Sequence, residues 1–379
     1  MNILVLGGGM VGSAIARDLA ADKHFTVTVA DRSESALQRC AAQGIAGIQA
    51  DLAHTETLRR LLEPADLVVG AVPGFMGYEV MRQVILARKP AVDIAFFPED
   101  PFTLDELARE HGVSIVVDCG LAPGLGNVLL GRMHQELDSI DSFLCLVGGL
   151  PQVRRKPYEY AAVFSPIDVI EEYTRPARFI EHGQLVVRPA LTDVEEVDLP
   201  SVGTVEAFNT DGLRTLADTF SIPNMKEKTL RYPGHVALMR AMRDTGFFDK
   251  NPVDVHGHAV VPLELTARLL FPMWEMREGE RDLSVMRVEI AGLREEMAEK
   301  HTFDLLDFYD TASNTTSMAR TTGYTCAVAV RLLAEGLWKR VGVSPPEFLG
   351  ADKRVYQALM DGLAERGIRF AHTVQQSVG

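Results

Sequence analysis

The sequence predicts an α/β protein in which a parallel-sheet domain is interrupted by an inserted α+β domain. Three observations carry this reading. A glycine-rich turn joins the first apolar run to a helix, strands and helices alternate as far as about residue 126, and extended segments then take over until helices resume near residue 312. The expected division is 1–126 plus about 312–379 for the parallel-sheet domain with its C-terminal helices, and 127–311 for the insertion.

The opening stretch, Met1-Asn-Ile-Leu-Val-Leu-Gly-Gly-Gly-Met-Val-Gly12, organises the rest. Gly7, Gly9 and Gly12 fit the G-x-G-x-x-G spacing of a dinucleotide site, with Met10 and Val11 between the last two. Gly7 serves the tight turn out of the strand, Gly9 lets a pyrophosphate approach the backbone, and Gly12 allows close helix–strand packing. Phosphate would sit on the helix N-terminus, where free N–H groups and the positive dipole end meet negative charge. After the helix Val11–Ala21 comes a second apolar strand, Phe25–Ala30, ending in Asp31. A carboxylate about twenty residues past the glycines accepts hydrogen bonds from the adenosine ribose and repels a 2′-phosphate, which points to NAD. Arg32 beside it leaves room for some NADP use.

Helix and strand continue as Glu34–Gln43, Gly47–Asp51, Thr55–Leu62 and Asp66–Pro73. Asp51, followed by Leu52, closes the third strand where the adenine would lie; an ordinary turn aspartate is the alternative. Ala71, Val72 and Pro73 close the fourth in a small-residue loop suited to the cofactor's far half. Helix Met76–Arg88 and strands Ala91–Ile94 and Val113–Val117 follow, the last running into Asp118-Cys-Gly120. Asp93, Asp118 and Gly120 thus fall at carboxyl ends of strands, the rim where open α/β sheets bind ligands. The strands read as apolar throughout, as strands buried on both faces should.

Beyond Asn127 a helix leads to a strand at Ile140–Val147, then to extended segments at Gln184–Pro189 and Val202–Phe208 and helices at Ser165–Tyr173 and Gly234–Thr245. Leu283–Ala291 and Thr302–Tyr309 read as neighbours in one mixed or antiparallel sheet. Helices Ser317–Ala334 and about Lys353–Arg366 are expected to return to the first domain.

Composition narrows the function. The 379 residues carry a net charge of −14 with no compensating basic stripe, which opposes nucleic acid and anionic membrane as partners. No basic segment precedes the first apolar run and no stretch is long enough to span a membrane, so a cytoplasmic protein is expected. The four cysteines are widely separated without a C-x-x-C pair, arguing against a metal site or disulfide framework. His256-Gly-His258 lacks an adjacent third ligand and reads as plain loop, so no metal is expected.

Several motifs are similar to those of the saccharopine dehydrogenase-like oxidoreductases, and within them most resemble the lysine 6-dehydrogenases. They are Gly7–Gly12, Asp118-Cys-Gly-Leu-Ala-Pro-Gly124 with Asn127, Gly148-Gly-Leu-Pro151, Arg231-Tyr-Pro-Gly-His235, Ser317-Met-Ala-Arg-Thr-Thr-Gly323 and Pro345-Pro-Glu347. The resemblance implies a Rossmann domain, a second domain for substrate and dimer contact, and nicotinamide-dependent oxidation at a carbon–nitrogen bond. The activity it implies is oxidation of the terminal amine of L-lysine to the semialdehyde, which cyclises to 1-piperideine-6-carboxylate. A saccharopine- or carboxynorspermidine-type enzyme acting on a secondary amine is the alternative, and a non-catalytic nicotinamide-binding sensor a third.

Such chemistry needs a deprotonated amine and anchors for the rest of the amino acid. Arg231 is the candidate carboxylate clamp. His235, titrating near neutrality, is the leading candidate base, with Asp93 or Asp118 second. Tyr158 and the pair Glu172-Tyr173 are weaker candidates. An open sheet in the inserted domain predicts a homodimer or a dimer of dimers.

Overall fold

The structure is a computed structural model that describes residues 1–162, 164–277 and 279–377. It divides into two compact units: Met1–Ser139 with Met318–Arg369, and Ile140–Ser317 with the tail from Phe370 on. The breaks therefore follow Ser139 and Ser317, not residue 126 and about residue 311, and the tail belongs to the inserted unit.

In the first unit the strands are β1 (Asn2–Leu6), β2 (Thr26–Asp31), β3 (Ala46–Gln49), β4 (Leu67–Gly70), β5 (Ala91–Asp93), β6 (Ser114–Val116) and β17 (Gly342–Ser344). They form one seven-stranded sheet in the order β17-β6-β5-β4-β1-β2-β3. Every neighbouring pair is parallel. The order reverses around β1, which pairs with β2 on one side and β4 on the other; a ligand of such a sheet binds at that switch point. All of β4 and β5 is buried, as is β1 from Ile3 on. The expectation of buried apolar strands fails at β3, on one edge of the sheet, whose four residues are all exposed, whereas β17 on the other edge is buried.

The downstream break after Ser139 has a cause in packing. Helix Leu125–Met133 lies backbone to backbone against helix Pro346–Ala351: a Cβ on Gly131 would stand 2.1 Å from the Glu347 carbonyl oxygen, and one on Gly350 would stand 2.0 Å from that of Val128. Within this contact the buried Asn127 amide donates to Glu347 Oε2 at 3.0 Å and its Oδ1 accepts the Gly124 N–H at 3.3 Å.

In the second unit the strands are β7 (Ser139–Pro151), β8 (Ala177–Glu181), β9 (Gln184–Arg188), β10 (Glu195–Leu199), β11 (Gly203–Asn209), β12 (Asn224–Arg231), β15 (Asp282–Arg294), β16 (Met297–Phe308) and β18 (Ala371–Ser377). The main order is β10-β11-β12-β7-β15-β16-β18, with β8 on β12 and β9 on β8. Parallel pairing of β12 with β7 makes the sheet mixed. The expected neighbours are β15 and β16, with Leu283 opposite Phe308 and Ala291 opposite Lys300. A separate two-stranded hairpin, β13 (Val253–Val255) and β14 (His258–Val260), has His256-Gly257 as its turn; His258 is therefore strand, not loop. Helices Pro166–Thr174, His235–Thr245 and Pro262–Trp274 bury Tyr173, Val236, Met239 and Trp274 in one apolar cluster with Phe208.

No helix among the described residues is long and apolar enough to cross a membrane. Gly350→Ala is expected to destabilise the protein by about 1–3 kcal/mol, the usual penalty for overpacking a filled interior. The measurement is urea unfolding, where the midpoint should fall at unchanged slope. A wild-type midpoint would show that the two helices separate without cost.

Candidate active site

The glycine loop is built by three unlike contacts. Gly7 has φ 109°, and a Cβ there would stand 2.3 Å from the Ala71 carbonyl oxygen; one on Gly12 would stand 2.0 Å from that of Gly7. Gly9, the N-cap of helix Met10–Ala20, has nothing within 4 Å of its would-be Cβ. Two glycines thus close the turn while the third keeps open the space in front of the helix N-terminus. A cradle that a Cβ would fill is what a pyrophosphate needs, so the residues fit a dinucleotide.

Asp31 ends β2 and holds this loop. Its Oδ2 accepts the Gly8 N–H at 2.6 Å and its Oδ1 the Ser33 N–H at 2.7 Å. Each carboxylate oxygen has a second lone pair, so accepting backbone N–H groups does not preclude ribose hydroxyls. Arg32 beside it and Met10 are exposed, and Val11, Ala71 and Pro73 are partly so. Leu52 and Val72 are different: both side chains are buried in the hydrophobic core, leaving only backbone for a ligand. Asp51 Oδ1 accepts the Ala53 N–H at 3.0 Å and its Oδ2 lies 3.7 Å from His54, the geometry of the turn aspartate that was the alternative reading.

Farther along the rim Asp93 is fully buried, its Oδ2 accepting the Ala95 N–H at 3.0 Å. Its Oδ1 occupies the space beside Gly70, 2.0 Å from where a Cβ would be. The Asp93 carbonyl takes the Cys119 N–H at 3.0 Å, so the turns after β5 and β6 are tied together. Asp118 is also buried, with φ 52°, and its carbonyl accepts the Gly120 N–H at 3.1 Å. Burial, with Asp118 and Asp93 nearby, pushes the Cys119 thiol up to about 12, so it stays protonated at neutral pH.

In the second unit the structure brings Arg231, His235, Glu172, Tyr173 and Tyr158 together. Arg231 ends β12, Gly234 with φ 94° turns the chain, and His235 opens the next helix. Arg231 was expected to clamp a substrate carboxylate, but its planar fork is taken within the protein. Nη2 donates to Glu172 Oε2 at 2.7 Å, Nε to the Tyr173 hydroxyl at 3.1 Å and Nη1 to the Leu230 carbonyl at 2.9 Å. The Tyr160 ring lies 4.6 Å from the guanidinium carbon, a cation–π contact.

His235 is 1% exposed, and both ring nitrogens are occupied. Nδ1 lies 2.8 Å from the Tyr158 carbonyl, which can only accept, so Nδ1 carries the proton. Nε2, 2.9 Å from the Tyr173 hydroxyl, is therefore the acceptor. Proton donation thus runs from Arg231 to Tyr173 to His235 to the Tyr158 backbone. Burial, reinforced by the Arg231 charge and opposed by the Tyr158 hydrogen bond, lowers the His235 pKa to about 3. His235 is thus neutral at working pH with its lone pair hydrogen-bonded to Tyr173, an arrangement at odds with its expected role as general base. Tyr158 contributes its carbonyl, and its ring packs edge-on against Trp274 at 6.3 Å. Burial also raises the Tyr173 hydroxyl to about 12, against the pull of Arg231.

Sequence reasoning missed Tyr160 and Trp274, which pack on His235 at 5.1 and 6.4 Å between centroids. Nothing local distinguishes them from core aromatics; only the tertiary fold joins them to Arg231. Gly8, the donor to Asp31, was also missed, because the motif spacing treats it as a variable position. Among the described residues no group of three or more His, Cys, Asp or Glu side chains could hold a metal ion.

Comparisons with known proteins cover almost the whole chain. Residues 3–116 match the saccharopine dehydrogenase NADP binding domain and residues 120–368 the saccharopine dehydrogenase C-terminal domain. The chain is 23% identical to the NADP(+), L-glutamate-forming saccharopine dehydrogenase of Schizosaccharomyces pombe, over 98% of this chain and 99% of that one. It is 22% identical to a carboxyaminopropylagmatine dehydrogenase of Synechocystis sp., over 93% of each. Some relatives are much longer: the chain spans 39% of the alpha-aminoadipic semialdehyde synthase of Arabidopsis thaliana, at 24% identity over 86% of its own length. The apo saccharopine dehydrogenase (L-Glu forming) from Saccharomyces cerevisiae shares the fold, with a TM-score of 0.81 at 19% identity over 99% of both chains. Matched along both segments, the chain belongs to the saccharopine dehydrogenase family, as a nicotinamide-dinucleotide oxidoreductase that acts on amine groups of amino acids.

Proposed function

We propose that the chain is an NAD-dependent lysine 6-dehydrogenase of the cytoplasm, converting the terminal amine of L-lysine to the semialdehyde that cyclises to 1-piperideine-6-carboxylate. The observation that carries this reading is the Arg231–Glu172 pair at 2.7 Å. An arginine neutralised by its own glutamate is poorly suited to holding the extra carboxylate of a larger substrate, and the Arg-Tyr-Pro-Gly-His motif supports the lysine type. The likeness to enzymes named for saccharopine favours a second reading, an enzyme of that larger amino acid. A screen of L-lysine, saccharopine and polyamines with NAD, followed by reduced-cofactor absorbance, tests both. Turnover of saccharopine in preference to lysine overturns the first.

The glycine cradle and the N-terminus of helix Met10–Ala20 would hold the dinucleotide, and Asp31 its ribose. Bound nicotinamide supplies the hydride acceptor. The chain's own residues orient the substrate and set the cost of deprotonating the amine. A free lysine amine has a pKa near 10.4, so its neutral form at pH 7 costs roughly 4–5 kcal/mol. With His235 unavailable as base, kcat/KM is expected to rise with pH toward the alkaline range, and His235→Asn should keep that rise. A profile flattened by His235→Asn would restore the histidine as base.

His235 also sets a dependence of stability on pH. The unfolded chain takes up this proton near pH 6.5 and the folded one only near pH 3. Between those values the unfolded state binds more protons, so stability falls as pH drops from 6.5 toward 3 and is fully present above 6.5. His235→Asn should flatten this decline in denaturant midpoints measured across that range. An unchanged slope would mean that the histidine is not held neutral.

Cofactor choice and cradle are tested separately. The matched domain is described as NADP binding, whereas a carboxylate at Asp31 repels a 2′-phosphate, so kcat/KM is expected to favour NAD. Asp31→Ala should narrow the difference; equal or better use of NADP by the wild type would refute the preference. Gly9→Ala meets no neighbouring atom and should leave the unfolding midpoint unchanged while weakening cofactor binding at least tenfold. Unchanged affinity, by fluorescence titration, would place the phosphates elsewhere.

A further inference from the structure

Phe75 is 72% exposed, and no other large apolar side chain among the described residues is more so. It is the second residue of helix Gly74–Leu86, whose Val80, Met81, Val84 and Ile85 are buried. That helix cannot turn to bury it. A Cβ on Gly77 would stand 2.7 Å from Ala95 Cβ and 2.8 Å from the Phe97 ring, and the Tyr78 hydroxyl lies 2.9 Å from Thr103 Oγ1. A single exposed apolar side chain is ordinary, but this one stands at the switch point of the sheet. β2 and β4 flank β1, with Ala30 and Gly70 opposite Leu6 on either side. Because β2 and β5 lie in opposite directions from the β1–β4 pair, right-handed crossovers put helices Met10–Ala20 and Gly74–Leu86 on opposite faces. The crevice between them is bordered from the end of β2 by the exposed Arg32 and from beyond the end of β4 by Phe75.

We infer that Phe75 is a cofactor-binding residue whose ring covers one face of the dinucleotide's adenine, with the Arg32 guanidinium over the other face. Neighbouring strands run about 4.8 Å apart, so strand ends separated by β1 stand about 10 Å apart. A flat ring covered on both faces needs roughly 7–8 Å at carbon contact distances of about 3.5–4.0 Å, which such a slot accommodates. Bases stack on aromatic side chains, and a guanidinium is attracted to a π face, so both groups suit a base. Asp31 selects adenine over nicotinamide: a carboxylate at the end of β2 that holds the adenosine ribose keeps the attached base on the β2 side of the glycine loop. Leu52 and Val72 at the same rim keep their side chains in the core, and Phe75 supplies the apolar surface that they do not. The inference rests on the dinucleotide cradle and is independent of which amine is oxidised.

Calorimetric titration of the full-length protein with NAD and with ADP-ribose, which keeps the adenine and pyrophosphate but lacks the nicotinamide ring, tests this without any amine substrate. Phe75→Ala should weaken both ligands by the same factor, roughly tenfold or more, the scale of base–aromatic stacking. Its unfolding midpoint should stay at the wild-type value, because the ring is exposed in the free protein. Phe75→Tyr keeps a flat ring and should keep wild-type affinity, whereas Arg32→Ala should weaken both ligands in parallel. A loss confined to NAD would put the ring on the nicotinamide half and overturn the inference. Undiminished affinity in Phe75→Ala or in Arg32→Ala would also overturn it, since the slot would lack one of its walls. A wild type that binds neither ligand would remove the cradle itself, and the inference with it.

Discussion

Asp18, near the end of the helix that begins at the glycine loop, takes Arg331 at 2.6 Å and Arg366 at 2.7 Å. Those arginines lie 313 and 348 residues away in sequence, Arg331 on helix Ser317–Ala334 and Arg366 at the C-cap of helix Lys353–Glu365. All three side chains are only 13–16% exposed, so the charges are partly desolvated and each depends on the others for compensation. Arg331 also donates to the Asp18 carbonyl at 2.9 Å, fixing backbone as well as side chain. Closer to the other end of the same helix, a Cβ on Gly323 would lie 3.2 Å from Ile15 and 3.4 Å from the Val11 carbonyl. The direction in which the glycine loop presents its N–H groups is therefore set by contacts with the distant C-terminal half of the unit.

The second unit uses polar groups differently. Arg231, Tyr173 and His235 form a chain in which every donor has a defined acceptor, and the Tyr158 carbonyl fixes the tautomer at its end. A fully satisfied buried network specifies one packing of the helices that carry it. Here it joins helix Pro166–Thr174 to the turn between β12 and helix His235–Thr245, with Trp274 from a third helix edge-on against Tyr173. The residues that look most catalytic in the sequence are thus the ones that hold the aromatic core of the unit.

The parallel-sheet half of the fold was legible because its signals are local. Ile3–Leu6 is apolar, glycine spacing marks the turn, and Asp31 falls at the right distance. The second unit was legible only in parts. Its β12 escaped notice because Asn224-Met-Lys-Glu-Lys-Thr-Leu-Arg231 carries three consecutive charges and a fourth at its end, the composition of a solvated segment. In the fold it is an interior strand whose Lys226 meets Glu181 at 2.6 Å and whose Lys228 meets Glu195 at 2.5 Å, pairings that no local pattern reveals. The site divides in the same way. Gly7, Gly9, Gly12 and Asp31 could be read from spacing, whereas the fate of Arg231 and His235 depended on Glu172, Tyr173 and a backbone carbonyl brought together only by folding. Asn127 and Glu347, from two separate motifs, are hydrogen-bonded to each other, so part of what looked like a functional signature is a structural joint.

The chain passes between its units after Ser139, after Ser317 and again after Arg369. On a ribosome that order imposes a wait. The first half of the parallel-sheet unit emerges complete with its glycine loop, yet β17 and the arginines that meet Asp18 are still unsynthesised. At a synthesis rate of about 5–20 residues per second, the intervening unit takes roughly 10–35 s to appear. During that interval β6 presents a bare edge where β17 will pair, and the first helix lacks its partners. The nascent nucleotide-binding half is therefore a natural client for chaperones, and the inserted unit in turn cannot complete its sheet until β18, near the end of the chain, has been made.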